Sequence, residues 1–263
     1  MGSATTQARA RVGAVLGDAS GIDLTVAREL FQAARLLGST PALAGALADP
    51  AAAPAARSQV VSDVFGRVFS ANAVQLLTSA ATVRWSSEED FVEGVEELAI
   101  RAAAVAEPDV DLEGELFAFA RTVAENPELE LALGSRFGNA SAKGALIEKL
   151  LGGRASASTV LVVSSIAQQS ADRRIRQALS WAMGLAAAQR GRVVASVVSA
   201  TALTPAQAER LRQALAAKYG TEISLNTVID PTIVGGLRVQ IADDVIDASI
   251  SAKLADLRQR LAG

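Results

Sequence analysis

The sequence predicts a mainly helical protein: a duplicated all-helical bundle followed by a small C-terminal α+β unit, with a short mixed sheet and two helices. Three observations carry this expectation. The 263 residues are half hydrophobic but only 4% aromatic, and much of the apolar content is alanine, the strongest helix former. The chain matches itself without gaps at an offset of 86. Over 29–79 against 115–165, 15 of 51 positions are identical, several times what an Ala-rich chain gives by chance. After Arg192 the texture changes to β-branched runs punctuated by Gly and Pro, which reads as strands and turns.

The elements follow in order. Val26, Leu30, Ala34 and Leu37 recur at helical spacing, as do Leu112, Leu116, Ala120 and Val123. Asp23 and Asp111 are placed to cap those two helices. Pro41 and Pro127, related by the offset, suit the first position of a short following helix. Helices near 56–68 and 71–84 are matched by helices near 142–152 and 156–169. Residues 87–106 form a further helix whose early Glu88, Glu89 and Asp90 complement the positive end of its dipole. Val92, Val95, Glu96, Leu98 and Ala99 place an apolar stripe on it beside an acidic one. The break at Glu107-Pro108-Asp109 separates the copies, giving a first helical repeat over 1–106 and a second over 107–190. Trp85 and Trp181 read as core anchors.

The remainder, 191–263, is the α+β unit. Val193 to Ser199 is a strand. Thr204-Pro205 opens a helix that Gly220 closes. Ile223, Leu225, Thr227 and Ile229 alternate as a second strand. Asp230-Pro231 turns the chain into a third over Ile233 to Ile241, with Gly235-Gly236 inside it as a bulge or a site of close packing. That third strand is expected beside the second. Asp244 or Asp247 caps a last helix carrying Ile250, Leu254, Leu257 and Leu261.

The same residues exclude much chemistry. There is no cysteine and no histidine, so disulfides, thiol catalysis, Cys/His metal sites and Ser-His-Asp mechanisms are absent. No phosphate-binding loop or G-x-S-x-G elbow occurs; the nearest approach, Gly138 to Lys143, lacks the second Gly before the Lys. Asp243, Asp244 and Asp247 are better read as helix capping than as a metal cluster. No catalytic, cofactor or metal residue is expected. Net charge is −3, which does not favour nucleic acid as a partner. Residues 86–130 nevertheless carry 14 acidic and 2 basic side chains, either a partner surface of defined sign or a solvated helix face. The N-terminus has no long apolar run, and the longest uncharged stretch, 155–171, is too short and polar to cross a bilayer. The expectation is a soluble intracellular protein.

The C-terminal run supplies a resemblance. Val197-Val198-Ser199-Ala200, Leu203-Thr204, Val228-Ile229-Asp230-Pro231, Ile233 to Val239 around Gly235-Gly236, and Asp244 to Ile250 resemble, in order and spacing, the δ subunit of F-type ATP synthases. That family is the bacterial counterpart of the oligomycin-sensitivity-conferring protein. Ser199, Ala200, Asp230, Pro231, Gly235, Gly236, Asp247 and Ser249 carry the signature as structural residues. The second helical copy, with Asn126-Pro127-Glu128-Leu129 and Leu150-Leu151, resembles the family's helical domain. Ala248 stands where Gly is common. The first copy is extra length, similar to the longer δ subunits of actinobacteria. The resemblance implies a non-catalytic stator subunit in the peripheral stalk, one per complex, on the cytoplasmic face of the plasma membrane without insertion into it. Its helical domain would grip the N-terminal helix of an ATP synthase α subunit. Its C-terminal part would meet the C-terminal helix of the b subunit. A helical adaptor unrelated to ATP synthase, or an enzyme using only carboxylates and Arg, are the competing readings.

Overall fold

The computed structural model describes residues 2–135, 138–169, 174–233, 235–241 and 244–248. The chain divides into two compact units between Leu185 and Ala186. The helical unit contains α1 (Ser3–Asp18), α2 (Leu24–Ser39), α3 (Pro41–Ala48), α4 (Pro54–Phe65), α5 (Ala71–Thr82), α6 (Glu88–Ala106), α7 (Leu112–Glu125), α8 (Pro127–Gly134), α9 (Ala140–Leu151) and α10 (Ala157–Gln169). The division falls inside α11 (Ile175–Gln189).

The duplication is visible in the helix limits. An offset of 86 carries the limits of α3 onto those of α8 and the limits of α4 onto those of α9. Asp23 accepts the Thr25 and Val26 N–H groups at the start of α2, and Asp111 accepts that of Gly114 at the start of α7. Pro41 and Pro127 each occupy the first turn of their helix, where the missing N–H costs nothing. The packing repeats too. α4 lies on α5 as α9 lies on α10, α2 on α5 as α7 on α10, and α2 on α3 as α7 on α8. The core is aliphatic with a few phenylalanines: Leu30, Phe31, Leu76, Phe91, Leu98, Leu112 and Leu116 are all fully buried. Trp85 is buried as expected, its indole donating to Ala80 O at 2.8 Å. Trp181 is only partly buried.

The second unit contains β1 (Arg192–Ser199), α12 (Pro205–Tyr219), β2 (Glu222–Ile229), β3 (Leu237–Ile241) and β4 (Asp244–Asp247). The sheet order is β2-β1-β3-β4, with β1 parallel to β2 and antiparallel to β3, and β3 antiparallel to β4. Thr204 and Gln207 form a reciprocal capping box at the start of α12, and Gly220 ends it in the left-handed conformation at φ 68°. Ala195, Val197, Leu215, Ile223, Val239 and Ile241 make this unit's core.

Three expectations change here. Gly235 and Gly236 are not inside a strand. Their φ angles are 71° and 87°, and two consecutive residues of positive φ cannot continue an extended ladder. They form the bend that delivers the chain to β3 at Leu237. β3 does not lie beside β2: the parallel β1–β2 pair leaves β1's other edge free, and β3 takes it. Asp244 does not open a helix: it starts β4, whose Val245 and Ile246 pair with Gln240 and Val239. The expected helix over 250–261, together with Ser249 and Asp243, lies outside the described residues.

Candidate docking surfaces

The family-type signature residues meet at one end of the sheet. Ser199 faces Ile229 on one side and Leu237 on the other. Its hydroxyl donates to Thr201 O at 2.7 Å, and its carbonyl accepts the Asp230 N–H at 2.8 Å. Asp230 accepts the Thr232 N–H at 2.9 Å and the Thr232 hydroxyl at 2.7 Å. These bonds from Thr232 hold its carboxyl below the usual aspartate range. Pro231 sits in the same turn, followed by Gly235-Gly236. At the end of β4, Asp247 lies 3.6 Å from Arg238 Nε, and Ala248 N–H donates to Leu237 O at 2.8 Å. Ala200 follows Ser199 in the bend that leaves β1. The described members of the signature thus gather at the turns around this end of the sheet.

The helical unit holds a repeated polar latch. Glu29 Oε2 accepts the Ser70 N–H at 2.9 Å and its hydroxyl at 2.6 Å. Eighty-six residues on, Glu115 Oε2 accepts the Ser156 N–H at 2.9 Å and its hydroxyl at 2.7 Å. The carboxylates satisfy the open N-termini of α5 and α10, where the dipole also favours negative charge. Burial pushes the Glu115 carboxyl up, but hydrogen bonds from Thr159 and Ser156 outweigh it, and the net shift is downward. Both pairs are identities in the self-match, so the repeat already marked them. What it did not show was that the Glu and the Ser touch across 41 residues.

A second equivalent pair is cationic. Buried Arg57 donates to Ala81 O and Val83 O at 2.6 and 3.1 Å and to Thr82 O at 3.4 Å, closing the end of α5. Its counterpart Lys143 donates to Ser135 O at 2.6 Å, at the end of α8. Burial lowers the Lys143 pKa.

Part of the acidic segment 86–130 is spent inside the protein. Asp90 accepts the Thr5 hydroxyl at 2.7 Å. Arg9 bridges Glu93 and Glu97 at 3.5 and 3.2 Å, and Arg101 meets Glu97 at 2.8 Å. Glu107 accepts the Ser158 N–H at 2.7 Å beside the Glu115 latch. Glu130 pairs with Arg176 at 2.9 Å. These six groups are neither a free partner surface nor a plain solvated face. They tie helices together.

What remains outside is shallow. An open cleft of about 560 Å³ lies between the start of α1, the end of α3 and the α5–α6 connection, against Gly45, Asp49, Arg84, Trp85, Ser87 and Glu88. Val68 beside α4 and Leu131 on α8 are the most exposed large apolar side chains described, at 73% and 77%. Leu131 has Gly45 as its counterpart in the first copy, so the two copies present different outer faces. Among the described residues no three metal-ligating side chains cluster, and no helix is long and apolar enough to cross a membrane.

Comparison with known proteins matches this arrangement to one family. The sequence profile of the "ATP synthase delta (OSCP) subunit" family matches residues 98–261. A Leifsonia xyli protein named ATP synthase subunit delta is 48% identical over 265 residues, covering both chains fully. The chain belongs to the ATP synthase delta (OSCP) subunit family. A Streptomyces avermitilis member of the same name is 39% identical over 98% of this chain and 96% of its own. A chain in the cryo-EM structure of the Toxoplasma gondii mitochondrial ATP synthase hexamer covers 64% of this chain and 97% of its own at 16% identity, with a TM-score of 0.36, too slight a likeness to bear on the fold. The family profile begins within α6, so the first helical copy lies largely ahead of it. As a delta (OSCP) subunit the chain is structural rather than catalytic. Its mainly helical fold fits that role.

Proposed function

We propose that this delta-family chain is a static link in the peripheral stalk of a proton-driven ATP synthase, joining the catalytic head to the membrane-anchored b subunit. The observation that carries the reading is the match along the whole chain to relatives named ATP synthase subunit delta. On this reading the helical repeats, 1–106 and 107–190, take the N-terminal helix of an α subunit. The unit over 191–263 takes the C-terminal helix of b. The chain sits at the cytoplasmic face of the plasma membrane as a peripheral subunit, one per complex. The physical support is that an Ala-rich bundle admits a partner helix closely along shallow apolar faces, while capped helices and internal ion pairs give the stiffness a stator needs.

The test is reconstitution. Membrane vesicles holding the synthase are stripped of this chain and then given it back. Proton-driven ATP synthesis is expected to disappear and return, while hydrolysis by the detached head is unchanged. Full coupled synthesis by vesicles lacking the chain would exclude a stator role and favour an adaptor unrelated to the synthase.

A further inference from the structure

The offset of 86 does more than relate α2–α5 to α7–α10. It also carries α1 onto α6 and α6 onto α11. α6 therefore has two counterparts: the opening helix of the first copy and a helix that closes the second.

Burial agrees with both assignments. A helix at a bundle's edge buries one stripe, and α1 does so through Thr5, Ala8, Val12 and Leu16. Their counterparts in α6, Phe91, Gly94, Leu98 and Ala102, are all buried. In α11, Ala178, Leu179, Ala182 and Met183 are buried. Their counterparts in α6 are Val92 and Glu93, partly buried, and Glu96 and Glu97, buried. α6 thus buries the stripe expected of a first helix and part of the stripe expected of a last one. Eleven of its 19 residues are buried, more than one stripe can account for.

The contacts of α6 run to both copies. As a closing helix, α6 packs on α1, α2, α3 and α5. In the first copy the opening helix α1 packs on the fifth helix α5, and in the second copy α6 packs on the fifth helix α10.

We infer that α6 is shared: it is the sixth helix of the first copy and the first helix of the second. The copies overlap by one element and have no linker between them. Force or strain applied to one reaches the other through a continuous 19-residue helix, and neither copy can unfold without uncovering a face of α6. The inference rests on the fold alone and holds whatever the chain binds.

The chain's two tryptophans provide the test, because Trp85 lies in the first copy and Trp181 in α11. Urea unfolding is followed in the full-length W181F and W85F variants, which leave as probes Trp85, packed on α6 from the first copy, and Trp181 in α11. The equivalent core residues Val61 and Ile147 are then truncated in each background. Coincident transitions are expected, with V61A and I147A each lowering both midpoints equally, by about 1 M urea. Hydrogen exchange of the unmodified chain gives a second readout: α6 amides should be at least as protected as those of α5 and of α10. Two separate transitions, a substitution that moves only its own copy's tryptophan, or α6 amides less protected than those of α10 would each overturn the shared helix.

Discussion

Gly94 stands in the middle of α6, where glycine ordinarily costs stability and alanine would restore it. Here the sign reverses. A Cβ built on Gly94 runs into the six-membered ring of Trp85, and that ring cannot easily withdraw. Its indole N–H is bonded to Ala80 O and its ring is tilted against Phe91, with the centroids 6.0 Å apart. G94A should destabilise the protein by about 1–3 kcal/mol through overpacking, where helix propensity alone predicts a gain; thermal unfolding with Trp85 emission measures it. The Glu115 latch makes a different kind of prediction. Its folded pKa lies below the usual glutamate value, so its stabilising effect is present above the unfolded pKa and fades as pH falls through the folded one. E115Q should be less stable than the parent near neutrality. The gap should close as pH drops below the normal glutamate range. A gap that does not change with pH would mean that the charge is irrelevant to the latch.

Capping decides several elements, and α12 shows how. Thr204 and Gln207 satisfy each other's backbone groups, and Pro205 sets the first helical φ. T204A should cost about 1 kcal/mol, seen as a lower urea midpoint for the sheet unit, with the Trp85 and Trp181 signals of the helical unit unmoved. Local signals of this kind are the part of the fold that the sequence makes legible. Asp23, Asp111, Pro41, Pro127, Thr204 and Gly220 each act within a few residues of themselves, and the structure has each in the role its residue type implies. Other features were not legible. Asp244 precedes an apolar pair and reads as a helix cap, but β4 exists because Val245 and Ile246 pair with β3, and nothing local announces that pairing. Gly235-Gly236 reads as strand because apolar residues flank it, and only the pair of positive φ angles reveals the bend. The acidic run over 86–130 reads as surface because its partners Thr5, Arg9, Ser156, Ser158 and Arg176 are far away in sequence. Charge patterning along a chain cannot distinguish a free carboxylate from one that caps a distant helix.

At the scale of the whole molecule, two compact units are assigned two partners, and the glycine bend offers a way to separate them. Gly236 has φ 87°, a region a β-branched side chain enters only under strain. It also leads directly into β3, which lies between β1 and β4 in the sheet. G236V should therefore cost about 1–3 kcal/mol, through backbone strain rather than the crowding of a neighbouring strand, and the damage should fall on the sheet unit. If the b-subunit helix docks on that unit and the α-subunit helix on the bundle, the two affinities must respond differently. Titrations of full-length parent and G236V chains with the two partner helices, as synthetic peptides, measure this. Binding of the b peptide should weaken while binding of the α peptide is retained, because the latches at Glu29 and Glu115 and the core around α6 belong to the other unit. Equal loss of both would mean that the units do not act separately. Loss of the α peptide alone would reverse the assignment of partners.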